Sequence, residues 1–477
     1  MPRDIPVGNG SLLVAFGKDY LIREFYFPHV GEENHTGESP FRMGVWVDGQ
    51  FGWLPDGWRT RLDYLDDSLV TNVELSNENL KLKITVNDLV DFYENIFLRK
   101  LTVENLSDKS REVRLFFCHE FEIYGNDIGD TAAYRPDVRG LLHYKGERYF
   151  LINISANKKC GIDHYATGNR QTGGLDGTWR DAEDGVLSGN TIAQGSVDSV
   201  AAIHLQIGPG KTEECFYWIC AGKKWDDVLT LNKLIVSKKP ETILTRTRDY
   251  WKLWIHKEEL NYSLLPEKLA WLYNKSMLVI RTQINNTGSI IAANDSEVIH
   301  FNRDTYSYMW TRDAALVSYA LDLSGQAEIT RNFFNLCAKL ITPEGYFLHK
   351  YTPCGAVASS WHPWLKDNHP QLPIQEDETA LVIWALWKHY VLFRDIEFIK
   401  ALYKPLIKNA ADFMMNYRDR RTRLPLASYD LWEERQGVHT FTTAAVYGGL
   451  TAAANFAEAF GETGIADEYR QGAKEVR

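Results

Sequence analysis

TALVIWALW at Thr379–Trp387, and then FIKAL at Phe398–Leu402, set the fold of the second half of this chain. The first run is apolar on every side of a 3.6-residue helix, the mark of a helix buried on every side. The second opens an amphipathic helix. Phe398, Ile399, Leu402, Leu406, Ala410, Phe413 and Tyr417 fall on one face, with Lys400, Lys404, Lys408 and Asp412 on another. The alternation spreads outward from there. Ala314–Leu323 and Ala444–Phe456 are apolar or small nearly all round, while about 325–341 and 463–477 are amphipathic. With helices also predicted at about 266–283, 376–394 and 396–417, the order is outer, inner, outer, inner. Two concentric rings of helices, an α/α toroid, account for that order. In such a ring every outer-to-inner loop emerges at the same end.

The first half has the other period. Leu80, Leu82, Ile84 and Val86 alternate with polar residues, Ile96 to Val103 forms a second run, and Val113, Leu115 and Phe117 alternate again. The turn residues Ser107-Asp108-Lys109-Ser110 between the last two runs predict a hairpin. Short strands continue to about Cys220, so antiparallel sheets packed as a sandwich are expected. Gly173-Gly174-Leu175-Asp176-Gly177 lacks the strand–turn–helix context of a phosphate loop and reads as turns. The predicted domains are a β-sandwich over 1–223, a linker with a helix at 239–255 over 224–265, and a helical domain over 266–477.

Charge and composition remove several function classes. The chain has 477 residues, and 53 Lys+Arg stand against 63 Asp+Glu, a net charge of −10. Duplex nucleic acid needs a basic face, so no nucleic-acid partner is expected. No apolar run reaches the roughly 18 residues that span a bilayer, so no membrane partner is expected either. The start, Met1 to Asn9, carries no signal-peptide pattern. The six cysteines form no C-x-x-C pair and read as reduced thiols, which places the protein in the cytoplasm. The 13 histidines show no metal-ligand spacing, so neither a metal nor a cofactor is expected. The aromatic count is high, with 15 Trp, 24 Tyr and 22 Phe. Part of that excess suits a cleft where sugar faces stack on flat rings.

The toroid parity gathers three loops at one end. One holds Asp304-Thr305-Tyr306-Ser307-Tyr308-Met309-Trp310-Thr311-Arg312-Asp313. The second, about 345–375, holds Trp361, Trp364, His369 and Gln375, with Asp377 and Glu378 following at a helix start. The third holds Tyr429-Asp430-Leu431-Trp432-Glu433-Glu434-Arg435. Rings for stacking and carboxylates for hydroxyls or proton transfer fit a sugar cleft. Plainer roles stand beside these: Asp313 as a helix-start charge, Arg312 as a surface cation, Glu433 and Glu434 as a solvated pair, Trp361 and Trp364 as loop packing. The neighbouring Trp432 predicts a desolvated Glu433 with a raised pKa, suited to a general acid.

Tyr306-x-Tyr308-x-Trp310-Thr311-Arg312-Asp313, followed by Tyr429-Asp430-Leu431-Trp432-Glu433-Glu434, resembles glycoside hydrolase family 15, the glucoamylase family, which includes glucodextranases and some trehalases. The resemblance implies an N-terminal β-sandwich before an (α/α)6 toroid, of which about seven of twelve helices lie within this chain. It implies an inverting, exo-acting α-glucosidase acting on malto-oligosaccharides or a related α-glucoside. Glu433 would be the general acid and Glu434 would bind hydroxyls near the leaving group. Arg312 and Asp313 would clamp the terminal glucose, and Tyr306 would face the developing oxocarbenium ion. Trp310, Asp430 and Trp432 would shape the cleft. The family's catalytic base is a glutamate late in the barrel and is expected beyond Arg477, so the resemblance implies that these residues are part of a longer protein. Alternatives are a disaccharide phosphorylase, a trehalase of the same family, and a non-catalytic glucan-binding fragment.

Overall fold

The computed structural model describes residues 5–37, 39–157, 159–170, 177–258, 261–294 and 304–477. The turn reading at Gly173–Asp176 lies outside them. Two compact units divide the chain, Met1–Thr282 and Gln283–Arg477.

The first unit is an antiparallel sandwich. Its ten-stranded sheet runs from Ile192–Gly195 through Arg148–Ala156, Thr212–Gly222, Ile96–Asn105 and Leu82–Val90 to Arg59–Tyr64. A five-stranded sheet is built around Val197–Ile207, Arg111–His119 and Arg42–Val47. Leu82, Ile84 and Val86 of one sheet and Val113, Leu115 and Phe117 of the other share a single buried cluster. The period-2 reading of these strands therefore finds its cause in one common core.

The predicted hairpin at 107–110 is not one. Ile96–Asn105 pairs with Leu82–Val90 and Thr212–Gly222, whereas Arg111–His119 pairs with Val197–Ile207 and Arg42–Val47 in the other sheet. The chain turns a corner between sheets. The Asn105 amide donates to Lys109, Ile207 and Gly208 carbonyls, and Arg111 donates back to Asn105 Oδ1 and to Leu80 and Lys81 carbonyls. Those bonds satisfy the backbone groups that a sheet corner strips of ladder partners.

The stretch 224–265 holds two helices, α1 (Trp225–Lys238) and α2 (Pro240–Ile255). Val228 and Ile235 of α1 and Ile243 and Leu244 of α2 share a second buried cluster with Leu89, Ile96, Leu98 and Trp218. Asn232 of α1 accepts the Trp218 indole N–H at 3.0 Å. The large sheet is thus covered on both faces along these strands. This is why Ile96-Phe97-Leu98 reads as an unbroken apolar run.

Inside the sandwich, the His119 ring lies 2.7 Å from Tyr217 Oη and 3.2 Å from Ser199 Oγ, which also meets His143 at 2.7 Å. Burial pulls both His119 and His35 down to about 3. Each is neutral when folded and protonates near 6.5 when unfolded, so between those values the unfolded chain binds more protons. Stability must fall as pH drops from about 6.5, by about 1.4 kcal/mol per pH unit for each histidine. Urea unfolding of this unit at pH 6.5 and 5 should differ by about 2 kcal/mol per histidine. Equal stabilities at both pH values would mean these rings are not buried neutral.

The chain then becomes helical. α3 (Glu267–Thr282) ends the first unit, and the second contains α4 (Thr311–Leu323), α5 (Ala327–Leu340), α6 (Glu376–Phe393), α7 (Ile396–Leu402, Tyr403–Lys408 and Asn409–Asn416), α8 (Thr440–Ala459) and α9 (Thr463–Val476). α7 widens to a π-turn at Tyr403–Lys408, where Pro405 has no N–H for the regular ladder. The helices that read as apolar all round, α4, α6 and α8, are neighbours, with α6 packed along both others. Gly449 lets α8 approach α6: a Cβ there would stand 2.9 Å from the Ala380 carbonyl oxygen. The chain is therefore a β-sandwich followed by part of a helical toroid.

Candidate active site

All three predicted loops converge within the second unit. The third is a hairpin in which Ser428–Tyr429 pairs with Gln436–Gly437. Its tip is tied by Asp430, whose Oδ1 accepts the Glu434 and Arg435 backbone N–H groups at 2.9 and 3.2 Å. Those bonds outweigh burial and bring the Asp430 carboxyl below its ordinary pKa. Asp430 thus forms the turn that carries Glu433. Glu433 sits on this turn at φ +64°, in the left-handed region that non-glycine residues seldom occupy. Such backbone positions are stored strain and cluster at functional sites.

Glu433 Oε1 receives the Trp310 indole N–H at 2.6 Å and lies 2.8 Å from His349 Nε2. Trp310, at the N-cap of α4, and His349, in the 345–375 loop, are both buried. Burial raises the Glu433 carboxyl, but the bonds from His349 and Trp310 prevail, so its pKa lies below the ordinary value. This reverses the expected direction. The indole that meets Glu433 is Trp310, which donates to it, while Trp432 is 76% exposed and shields nothing.

Arg312 and Asp313 are neighbours on α4 with different surroundings. Arg312 is 6% exposed. It bonds Gln375 Oε1 and Asp377 Oδ1 (3.3 Å) through Nη1, and Asp313 Oδ2 (3.1 Å) through Nη2. The surface-cation role is thereby excluded. Asp313 keeps 47% of its side chain exposed, so it is the member of the pair that can meet a ligand. Asp377 and Glu378 at the start of α6 are fully buried. They are held by Thr442 (3.2 Å) and Thr311 (3.0 Å) as well as by Arg312. Burial nevertheless pushes both carboxyls up, with Arg312 pulling against it. Neither is free to take a proton from water.

Tyr306 is exposed at 6.2 Å from the Trp310 ring. Trp361 is exposed too, with its ring 5.0 Å from His349. Trp364, Trp432 and Glu434 are also open to solvent. Exposed rings beside a held carboxylate form a surface on which a sugar can stack.

Sequence reasoning missed His349, His362 and Lys350. His362 stacks between His349 (4.0 Å) and Tyr429 (3.9 Å), and burial brings it down to about 4. Lys350, 1% exposed, points into the rings of Tyr308, Trp361 and Trp310 at 4.4, 4.5 and 5.2 Å, with Asp304 at 3.5 Å. Burial lowers its pKa, opposed by Asp304 and Glu433. Single histidines in a long loop carry no spacing signal; only the loop's convergence on Glu433 exposes them.

Residues 268–477 match the family described as Glycosyl hydrolases family 15. An uncharacterized glycosyl hydrolase of Methanocaldococcus jannaschii is 28% identical over 465 residues, covering 95% of this chain and 69% of its own. Among solved structures, a bacterial glucoamylase complexed with acarbose shares the fold at TM-score 0.74 and 18% identity. That match takes in 98% of this chain, which spans only 64% of the glucoamylase. A kojibiose phosphorylase candidate from the human microbiome matches at TM-score 0.50 and 12% identity, over 99% of this chain and 67% of that one.

Proposed function

We propose, from the match of residues 268–477 to glycosyl hydrolases family 15, that the protein is an inverting, exo-acting α-glucosidase of the glucoamylase type. It would release terminal glucose from malto-oligosaccharides or related α-glucosides. The observation that carries this is the presentation of Glu433. Both donors that reach it, Trp310 and His349, bind Oε1. A proton on Glu433 therefore belongs on Oε2, the oxygen left for the glycosidic bond. In the free cleft the carboxyl is held towards its ionised form. A sugar that displaces water from the cleft disfavours the charge and raises the carboxyl towards the range a general acid needs.

Asp313, fixed by Arg312, would grip hydroxyls of the terminal glucose, and a clamp held rigid before binding spends little entropy when it closes. Tyr306 and Trp361 offer stacking faces. An inverting reaction also needs a second carboxylate about 6.5–9.5 Å from the acid to activate water on the opposite face of the sugar. Asp377 and Glu378 are tied to Arg312 and do not fill that place. The acarbose-bound glucoamylase, the nearer in fold of the two solved structures, supports hydrolysis over phosphorolysis.

The deciding measurement is sugar release from maltose, isomaltose, trehalose and starch, with the anomer followed by NMR. Initial β-glucose from maltose or longer chains is expected without phosphate. Initial α-glucose would rule out inversion. A strict phosphate requirement would make the protein a phosphorylase, turnover of trehalose alone a trehalase, and binding without turnover a glucan-binding protein.

A further inference from the structure

We propose that Ser360, His349 and Glu433 form a proton relay that reloads the acid between turnovers, with His349 as a positioning residue that never touches the sugar. The inference rests on the glucosidase reading above. After each cleavage Glu433 has given its proton to the leaving alcohol and must recover one. The side chain is only 12% exposed and is gripped on Oε1, so while a sugar covers Oε2 in the cleft bulk water is a poor direct source. His349 Nε2 stands 2.8 Å from that oxygen, and its other ring nitrogen, Nδ1, lies 2.9 Å from Ser360 Oγ. The imidazole is 1% exposed, whereas Ser360 is exposed and its hydroxyl also accepts the His362 backbone N–H at 3.1 Å. A buried ring that links a solvent-facing hydroxyl to a buried carboxylate can take a proton on one side and release one on the other.

The step balances. The His349 Nε2–H bond breaks and a Glu433 Oε1–H bond forms. His349 Nδ1 takes the Ser360 hydroxyl proton, and Ser360 takes one from a solvent hydronium ion. The two ring nitrogens end with one proton between them, and reversal of the ring's tautomer resets the relay. A half-turn of the carboxyl about its last torsion, which is broad and two-fold, brings the loaded oxygen to face the cleft. The bare oxygen then accepts the Trp310 N–H.

The charged and titratable groups around the pair come from every neighbouring element. They are Lys350 and His362 from the same loop, Asp430 and Glu434 from the hairpin, and Asp304, which holds Lys350, from the loop before α4. Hydronium becomes scarce as pH rises, so an acid that reloads without the relay refills more slowly there. The alkaline limb of turnover therefore reports the supply of protons through His349.

The test compares kcat against pH, which contains the reloading of the acid between turnovers, for His349→Gln and the parent, with maltose and with α-glucosyl fluoride, whose leaving group needs little protonation. With maltose the alkaline limb should move to lower pH by at least one unit, with activity retained on the acid side. With the fluoride the limb should stay in place. Ser360→Ala, an exposed change that spares the fold, should lower maltose turnover several-fold at pH 7 and leave fluoride turnover intact. An unmoved limb in His349→Gln, or unaltered maltose turnover in Ser360→Ala if the first variant does not fold, would overturn the relay. Independently of activity, the ¹⁵N spectrum of His349 near neutral pH should show a proton on Nε2. A bare Nε2 at every pH would overturn the relay even in a working glucosidase, whereas no turnover of any α-glucoside by the parent would overturn the glucosidase reading itself.

Discussion

Glu433→Gln should lower maltose turnover by about 10²–10⁴-fold while leaving substrate binding near normal. The substitution preserves shape and an oxygen for the Trp310 N–H, which donates at 2.6 Å to the native side chain. It removes the one transferable proton. Because the lost interaction exists only in the transition state, kcat and kcat/KM should fall together. For α-glucosyl fluoride the loss should shrink to a small factor. Glu434→Gln should behave differently. Glu434 is exposed, and its backbone N–H, not its carboxylate, braces the turn through Asp430. Its loss should raise KM and reduce kcat less. Equal, small effects from both changes would remove Glu433 from the role of acid.

The helical unit was legible because periodicity is a local property. Each of α4 to α9 begins and ends within about two residues of its predicted span, apart from the π-turn in α7, and the apolar-all-round segments became the adjacent helices α4, α6 and α8. Strand pairing was less legible, because alternation tells which face is buried and not which strand lies alongside. The turn at 107–110 looked like a hairpin, yet Asn105 and Arg111 make it a passage between two sheets. In the site, the motif residues Trp310, Arg312, Asp313 and Glu433 came with their loops. Their electrostatics did not. The raised pKa expected from Trp432 depended on adjacency in sequence, whereas the controlling partners, Trp310 and His349, arrive from 123 and 84 positions away. Likewise, nothing in the sequence showed that Arg312 faces inward, towards two carboxylates on a helix it does not belong to.

That inward-facing cation should make Arg312→Met among the most destabilising single changes in the helical unit. Arg312 meets Asp377 at 3.3 Å and Glu378 at 3.8 Å, and both carboxylates are at most 1% exposed. Met keeps an unbranched apolar stem and removes the charged fork, so the two acids are left buried without a counter-ion. Breaking a buried pair in this way costs about 3–5 kcal/mol. The positive end of α6 recovers some of this, since both acids lie in its first turn. The loss should also depend on pH, with a sign that identifies the cause. Burial already raises both carboxyls while Arg312 opposes the rise. Without Arg312 the folded-state values climb further above the unfolded ones, so the folded variant binds more protons than the unfolded chain. Its stability must then improve as pH falls below those raised values towards the unfolded ones, and worsen as pH rises back up to them. Urea unfolding at pH 5.5 and 7.5 should therefore show a larger deficit at 7.5. Arg312→Lys should recover part of it, since an ammonium supplies the charge without the planar fork that spans Gln375, Asp377 and Asp313 together. A pH-independent loss would point to packing around the long side chain, and no loss would mean that the two acids are folded in their neutral form with no need of Arg312.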